Sequence, residues 1–290
     1  MSTASASSPP PPTAEPFQAT YRLLTVPFQV VTNSRDFYCT LDRLNAEFRS
    51  EPVLRPAGIY EALAYEDGSL WELTFQGEEL KWFDRLIDAV SYIEWHMCDQ
   101  AIERRHDLLH VHGAALATPH ASLLLPGTSG IGKTTFALAL ALRGLRLLSD
   151  DVVFIHTDTW QVEPFPRSFH IHDDALPRLV PFGLRYSPED HIGAYLCASV
   201  LGPWDRTPGP PLRYVLFPRL DPSGPLALEP ISGAEAALEL MKYSKNLRRL
   251  PRFGLDLVPR LLERTTCYVL RRNDDLGAAA DLVLDLVQST

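Results

Sequence analysis

Residues 127–135 read Gly-Thr-Ser-Gly-Ile-Gly-Lys-Thr-Thr, and Gly127, Gly132, Lys133 and Thr134 satisfy the pattern Gly-x-x-x-x-Gly-Lys-Ser/Thr. Such a loop is built to hold phosphate. Its glycines let the backbone approach an anion, and the N–H groups of Gly127, Thr128, Ser129, Gly130, Ile131, Gly132, Lys133, Thr134 and Thr135 can turn toward phosphate oxygens. A helix N-terminus adds partial positive charge. Lys133 reaches the β/γ-phosphates and the Thr134 hydroxyl suits Mg²⁺. A second group follows at Ser149-Asp150-Asp151. Adjacent carboxylates beside a phosphate loop suit two tasks: one holds a divalent metal, the other takes a proton from an attacking hydroxyl. A third precedes the loop, at His110-Val111-His112-Gly113, with both histidines on one face if the segment is a strand.

These groups need elements to position them. Ser122–Leu125 is a short apolar run that predicts a buried strand, and Thr134–Arg143 is Ala/Leu-rich and predicts a helix stopped by Gly144. Strand, loop and helix in this order are the context a P-loop requires. Leu145–Leu148 predicts a strand that delivers the two aspartates to its end, where open α/β sheets bind ligands. Leu109–Ala117 predicts the strand that carries the histidines.

His-Gly on a strand, then Ser-Gly-Ile-Gly-Lys-Thr, then Arg-Leu-Leu-Ser-Asp-Asp-Val-Val resembles the core of the HPr kinase/phosphorylase-like P-loop serine kinases, a branch that includes the lasso-peptide kinases. The resemblance is firm over about residues 109–156 and looser through 212–220, 228–241 and 267–287. It implies an α/β fold with a P-loop kinase core similar to HPr kinase and phosphoenolpyruvate carboxykinase, here preceded by a small α+β N-terminal domain. It implies ATP and Mg²⁺ as cofactors, and transfer of the γ-phosphoryl group to a Ser/Thr hydroxyl of a peptide or protein. Carried over, Asp150 is the base, His112 its neighbour, Lys133 the phosphate-holding cation, and Thr134 and Asp151 serve the metal. Which aspartate is the base stays open. The family's Leu-Glu-Ile-Arg-Gly-Leu-Gly signature is missing. Residues 162–171 stand in a comparable place, where Arg167 supplies a charge. That departure, with an unlike N-terminal part, argues against HPr itself as the substrate. A small-molecule kinase with the same core and a non-catalytic nucleotide-dependent switch or assembly protein are the rival readings. The resemblance also implies a homo-oligomer.

The chain has 290 residues, 46% apolar and 22% charged, with a formal net charge of −9. That suits a globular protein and offers nothing to a nucleic-acid backbone. Cys39, Cys98, Cys197 and Cys267 are too scattered for a zinc or redox pair and read as reduced cysteines of a cytoplasmic protein. The opening Met-Ser-Thr-Ala-Ser-Ala-Ser-Ser-Pro-Pro lacks the charged and apolar regions of a signal peptide, and no apolar run suggests a membrane partner.

Residues 1–16 read as a disordered Pro/Ser-rich tail, 17–108 as the small N-terminal domain and 109–290 as the P-loop domain. Within the second, Tyr21–Val31 predicts strand broken at Pro27. Ile59–Tyr65, Leu70–Phe75 and Leu80–Phe83 predict a meander with a turn at 66–69. Residues 84–105 predict a helix with Trp95 and Met97 in the core. Residues 170–196 and 202–211 predict loops or a lid beside the site, with His170, His172, Asp173 and Asp174 as a candidate metal cluster. Residues 242–252 concentrate Lys242, Lys245, Arg248, Arg249 and Arg252, which suit nucleotide phosphates, an acidic substrate or simply a solvated helix face.

Overall fold

A computed structural model describes residues 15–65, 68–250 and 254–288. Residues 1–14 of the tail, 66 and 67 of the expected hairpin turn, and 251–252 of the basic stretch lie outside the described residues. The chain divides into two compact units, Met1–Arg104 and Arg105–Thr290.

The first unit contains β1 (Phe17–Leu23), β2 (Val26–Thr32), α1 (Arg35–Leu44), β3 (Arg49–Ser50), β4 (Gly58–Tyr65), β5 (Leu70–Phe75), β6 (Glu78–Phe83) and α2 (Leu86–Glu103). Its sheet runs β3-β1-β2-β4-β5-β6. Alternation along β2 buries every second side chain, as one covered sheet face requires. Tyr21, Phe28, Tyr60 and Leu73 form that buried face, and Ile93 and Met97 of α2 are buried with no exposure. Ser34 caps α1 by accepting the Phe37 N–H at 3.2 Å. Two expectations are corrected. The strand breaks at Leu24 and Thr25, which both take positive φ, while Pro27 sits inside β2 opposite Arg22. A tight hairpin needs left-handed residues at its tip, and Leu-Thr carries no such signature. Trp95 is exposed, since α2 turns only one side inward.

The second unit contains β7 (Leu108–Ala117), β8 (Ser122–Pro126), α3 (Lys133–Leu142), β9 (Arg146–Ser149), β10 (Val152–His156), β11 (Val162–Glu163), β12 (Phe169–His170), α4 (Leu176–Leu179), β13 (His191–Ile192), β14 (Tyr195–Leu196), β15 (Leu212–Leu220), β16 (Ala227–Pro230), α5 (Gly233–Tyr243), α6 (Leu257–Leu262), β17 (Thr266–Arg272) and α7 (Leu276–Gln288). The main sheet runs β11-β10-β7-β8-β15-β17-β16. β8, β15 and β17 are parallel neighbours, and β7 is antiparallel to β8, β9 and β10. Buried side chains of β7 point to both faces. Ala114 and Leu116 join a core with Phe136 of α3 and Val283 of α7, whereas Leu109 and Val111 join one with Leu240 of α5 and Leu261 of α6. This is an α/β fold with helices on both sides of the sheet.

α3 ends as its sequence predicts. Gly144 takes φ +103°, its N–H bonds the Ala141 carbonyl at 3.0 Å, and the Leu145 N–H bonds the Leu140 carbonyl at 3.2 Å. That pair of bonds is the Schellman arrangement.

Candidate functional site: a P-loop beside a strained aspartate pair

β7 is the platform on which the site is assembled. β8 pairs with one edge of its Gly113–Ala117 half, and β9 and β10 run in succession along the other edge. At His112-Gly113 both edges are tied. The Gly127 N–H bonds the His112 carbonyl at 3.2 Å, so the phosphate loop departs from here. On the other edge the Gly113 N–H bonds the Asp151 carbonyl at 3.3 Å. A side chain at position 113 would put its Cβ 2.7 Å from the Leu125 carbonyl oxygen and 2.9 Å from Pro126 Cα. Only glycine lets the two strands close at this point.

Between β9 and β10 the chain makes a γ-turn. The Val152 N–H bonds the Asp150 carbonyl at 2.8 Å and Asp151 takes φ +67°. Such strain in a non-glycine residue persists only where its surroundings enforce it. Here Ser149, fully buried, spans the kink with its hydroxyl on the Val152 carbonyl. The turn sends the two carboxylates different ways. Asp150 is 2% exposed, and its Oδ2 accepts the Thr134 hydroxyl at 2.8 Å while Oδ1 has no partner among the described residues. Burial pushes its carboxyl up to about 6; Thr134 partly opposes the shift and the Asp151 charge adds to it. The Asp151 side chain is 44% exposed and stands between His112 Nδ1 at 3.1 Å and Arg167 Nη1 at 2.7 Å. Burial raises its carboxyl, but the His112 hydrogen bond and the Arg167 charge outweigh it and hold the group well below the usual range.

Lys133 is 6% exposed, with Nζ 2.6 Å from the Thr128 carbonyl and 3.4 Å from His112 Nε2. An ammonium only donates, so this network assigns the Nδ1–H tautomer to His112, donating toward Asp151. Burial lowers the Lys133 pKa, and the two aspartates pull it back up. The N-cap of α3 is Gly132, which has no side chain to cap the first turn, so its N–H groups are left to solvent or an anion. Gly130 and Gly132 take φ +85° and +75°, and a Cβ at Gly127 would lie 2.5 Å from Ile131 Cδ1. Ser129, Gly130, Gly132, Lys133, Thr134 and Asp151 line one cleft of about 130 Å³.

The structure thus brings together Lys133, Thr134, Asp150, Asp151, His112 and Arg167. Thr134 meets Asp150 rather than Asp151. His170 and His172 border the same cleft, but Asp173 turns to His191, and no group of three or more His, Cys, Asp or Glu side chains forms a metal cage among the described residues. The two loop segments separate. Residues 202–211 lie at the far end of β8, where Ser122 Oγ donates to the Pro210 carbonyl, and so do not border the phosphate loop.

One residue escaped sequence reasoning. Arg272, at the end of β17 and 5% exposed, donates from Nη2 to the Ile131 carbonyl at 2.6 Å, with its guanidinium 4.8 Å from the Phe136 ring centre. Burial and the Arg178 charge lower its pKa to about 10. An arginine that closes a β-strand leaves no signal in sequence, because its target lies at the other end of the unit.

Fold and site together define an α/β protein with a P-loop and an adjoining aspartate pair. Over 53 residues the chain is 43% identical to the HPr kinase/phosphorylase of Geobacter sulfurreducens, a stretch that is 18% of this chain and 17% of that protein. The match therefore spans less than a fifth of the relative. Among solved structures it is similar to the Hpr(Ser) kinase/phosphatase from Coxiella burnetii, at 14% identity and a TM-score of 0.35, over 62% of this chain and 88% of that one. No family model matches. Among the described residues no helix is long and apolar enough to cross a membrane.

Proposed function

We propose that the protein is an ATP-dependent kinase that moves the γ-phosphoryl group to a Ser or Thr hydroxyl of a peptide or protein. The observation that carries this reading is the division of labour in the aspartate pair beside a P-loop: one carboxylate is sealed against Thr134, the other is open to the cleft. The loop amides and Lys133 bind the β/γ-phosphates. Thr134, which lines the cleft, would hold Mg²⁺ beside the phosphate oxygens, with Asp150 behind it accepting the Thr134 hydroxyl. Bound there, the ion would neutralise charge on the phosphoryl oxygens. Asp151 accepts the hydroxyl proton at a carboxylate oxygen, because a base must be reachable by the acceptor and Asp150 is sealed off. His112 and Arg167 hold that carboxylate ionised and in place. Of the two assignments open in the sequence, this geometry favours Asp151 as base, with Asp150 behind the metal-holding Thr134.

The test is incubation with γ-labelled ATP and a Ser/Thr peptide panel, a set of sugars and nucleosides, or no acceptor. Label in peptide, lowered about 10²–10⁴-fold by Asp151→Asn with nucleotide affinity retained, is the expected result. Label in a metabolite alone would assign the small-molecule reading, and nucleotide binding without transfer would assign a switch.

A further inference from the structure

The basic stretch 242–252 acquires a position in the structure that its sequence did not give it. Beyond Gly113, the β7 edge that β8 leaves free is taken over by residues 244–246. Val111 and Ser244 form an antiparallel bridge, the Lys245 N–H bonds the His110 carbonyl at 2.9 Å, and the Asn246 side chain bonds the His110 N–H at 2.9 Å and the Leu108 carbonyl at 2.8 Å. Lys245 is therefore the cross-strand partner of His110, and directly opposite residues of an antiparallel pair project to the same face. That face carries His112, Lys133 and Asp151. His110 lies about 7 Å along the strand from His112, on the side away from α3.

Lys245 and Arg248 are exposed and form no ion pair with any described residue. Lys242, in the same stretch, is paired with Glu239. In a chain with 36 acidic and 27 basic side chains, a lysine beside His110 that pairs with no described residue is not explained by a shortage of acidic partners. The Lys245 charge reaches both His110 and Lys133, depressing each. The cleft at the phosphate loop is lined by His170 and His172, and Lys245 is not among its lining residues.

We propose that Lys245 forms an anion subsite on the acceptor side of Asp151, so that the acceptor is an acidic peptide with a carboxylate close to its Ser or Thr hydroxyl. This rests on the kinase reading and narrows its substrate class. An exposed ammonium that pairs with no described residue gives a charge-assisted bond to such a carboxylate. It also offsets the repulsion an acidic peptide would meet from Asp151 and from a bound triphosphate.

The test uses rhodamine-labelled Ser-centred peptide pools, flanked by Asp/Glu or by Asn/Gln, binding to the full chain with a non-hydrolysable Mg-ATP analogue. Fluorescent nucleotide binding is measured on the same samples. Expected is at least tenfold tighter binding of the acidic pool. Lys245→Glu should abolish that preference and Lys245→Arg should keep it. Lys242→Glu, on the neighbouring paired lysine, should change it less than about twofold. The exposed position makes misfolding of these variants no obstacle. Equal binding of the two pools, an equal loss in Lys242→Glu, or loss of nucleotide rather than peptide in Lys245→Glu would overturn the subsite. So would displacement by inorganic phosphate with no peptide preference, which would make it a free-phosphate site. Acidic-pool binding that depends on Lys245 without any nucleotide binding would keep the subsite and sink the kinase reading.

Discussion

Arg272→Met separates the phosphate loop from the stability of the fold. In a trans peptide the C=O and the following N–H point in opposite directions. Arg272 holds the Ile131 carbonyl at 2.6 Å, so the Gly132 N–H is held pointing to the opposite side of that peptide. Without the guanidinium, nothing in the loop holds that peptide plane, since Gly132 is free to rotate. One N–H to an ionised phosphate is worth about 1.5–3 kcal/mol, so losing its orientation should weaken Mg-ATP binding about 10- to 100-fold. Stability should respond differently. Arg272 is buried with its Nε unpartnered, and exchanging an incompletely paired buried charge for a similar apolar volume is often neutral or stabilising. Met retains the contact with Phe136. The assay is calorimetric Mg-ATP titration beside a thermal melt, with Arg272→Lys as partial rescue. Affinity within twofold of wild type at an unchanged melting temperature would refute the reasoning. An equal loss of affinity and melting temperature would make Arg272 merely structural.

Lys133→Met should abolish measurable Mg-ATP binding in the same titration, because no other buried ammonium serves the loop; retained affinity would remove the phosphate-cradle assignment. Gly113→Ala should destabilise the second unit by about 1–3 kcal/mol in urea denaturation, because its Cβ meets backbone rather than a movable side chain. His110 is pushed down to about 4, first by burial and then by the Lys245 charge. Its depressed folded pKa means the unfolded chain binds the proton first. Its contribution is therefore complete above about pH 6.5 and falls as pH drops toward 4, by up to about 3 kcal/mol. Asp150, raised to about 6, acts oppositely: its folded state binds the proton first, so its contribution grows as pH falls through the same window. The readout is thus the difference between wild type and His110→Phe from pH 7 to 4.5, and parallel curves would remove His110 from the account.

The sequence by itself determined the phosphate loop and its flanks. Gly127, Gly132, Lys133 and Thr134 are a local pattern, and strand β8, helix α3 and the Gly144 stop are written within about a turn of the residues they govern. Gly113 was visible as part of a His-Gly pair, though not its reason, which is the backbone of a neighbouring strand. The break at Leu24-Thr25 was illegible because neither residue advertises positive φ. The γ-turn at Asp151 was hidden for the same cause, and with it the reason two adjacent aspartates differ. One faces Thr134 in the interior and the other faces Arg167 and the cleft. Tertiary structure alone decided which carboxylate is reachable, which carbonyl Arg272 holds, and that Lys245 lies opposite His110. Those are contacts between segments far apart in the chain, set by strand register and packing, and no local periodicity encodes them.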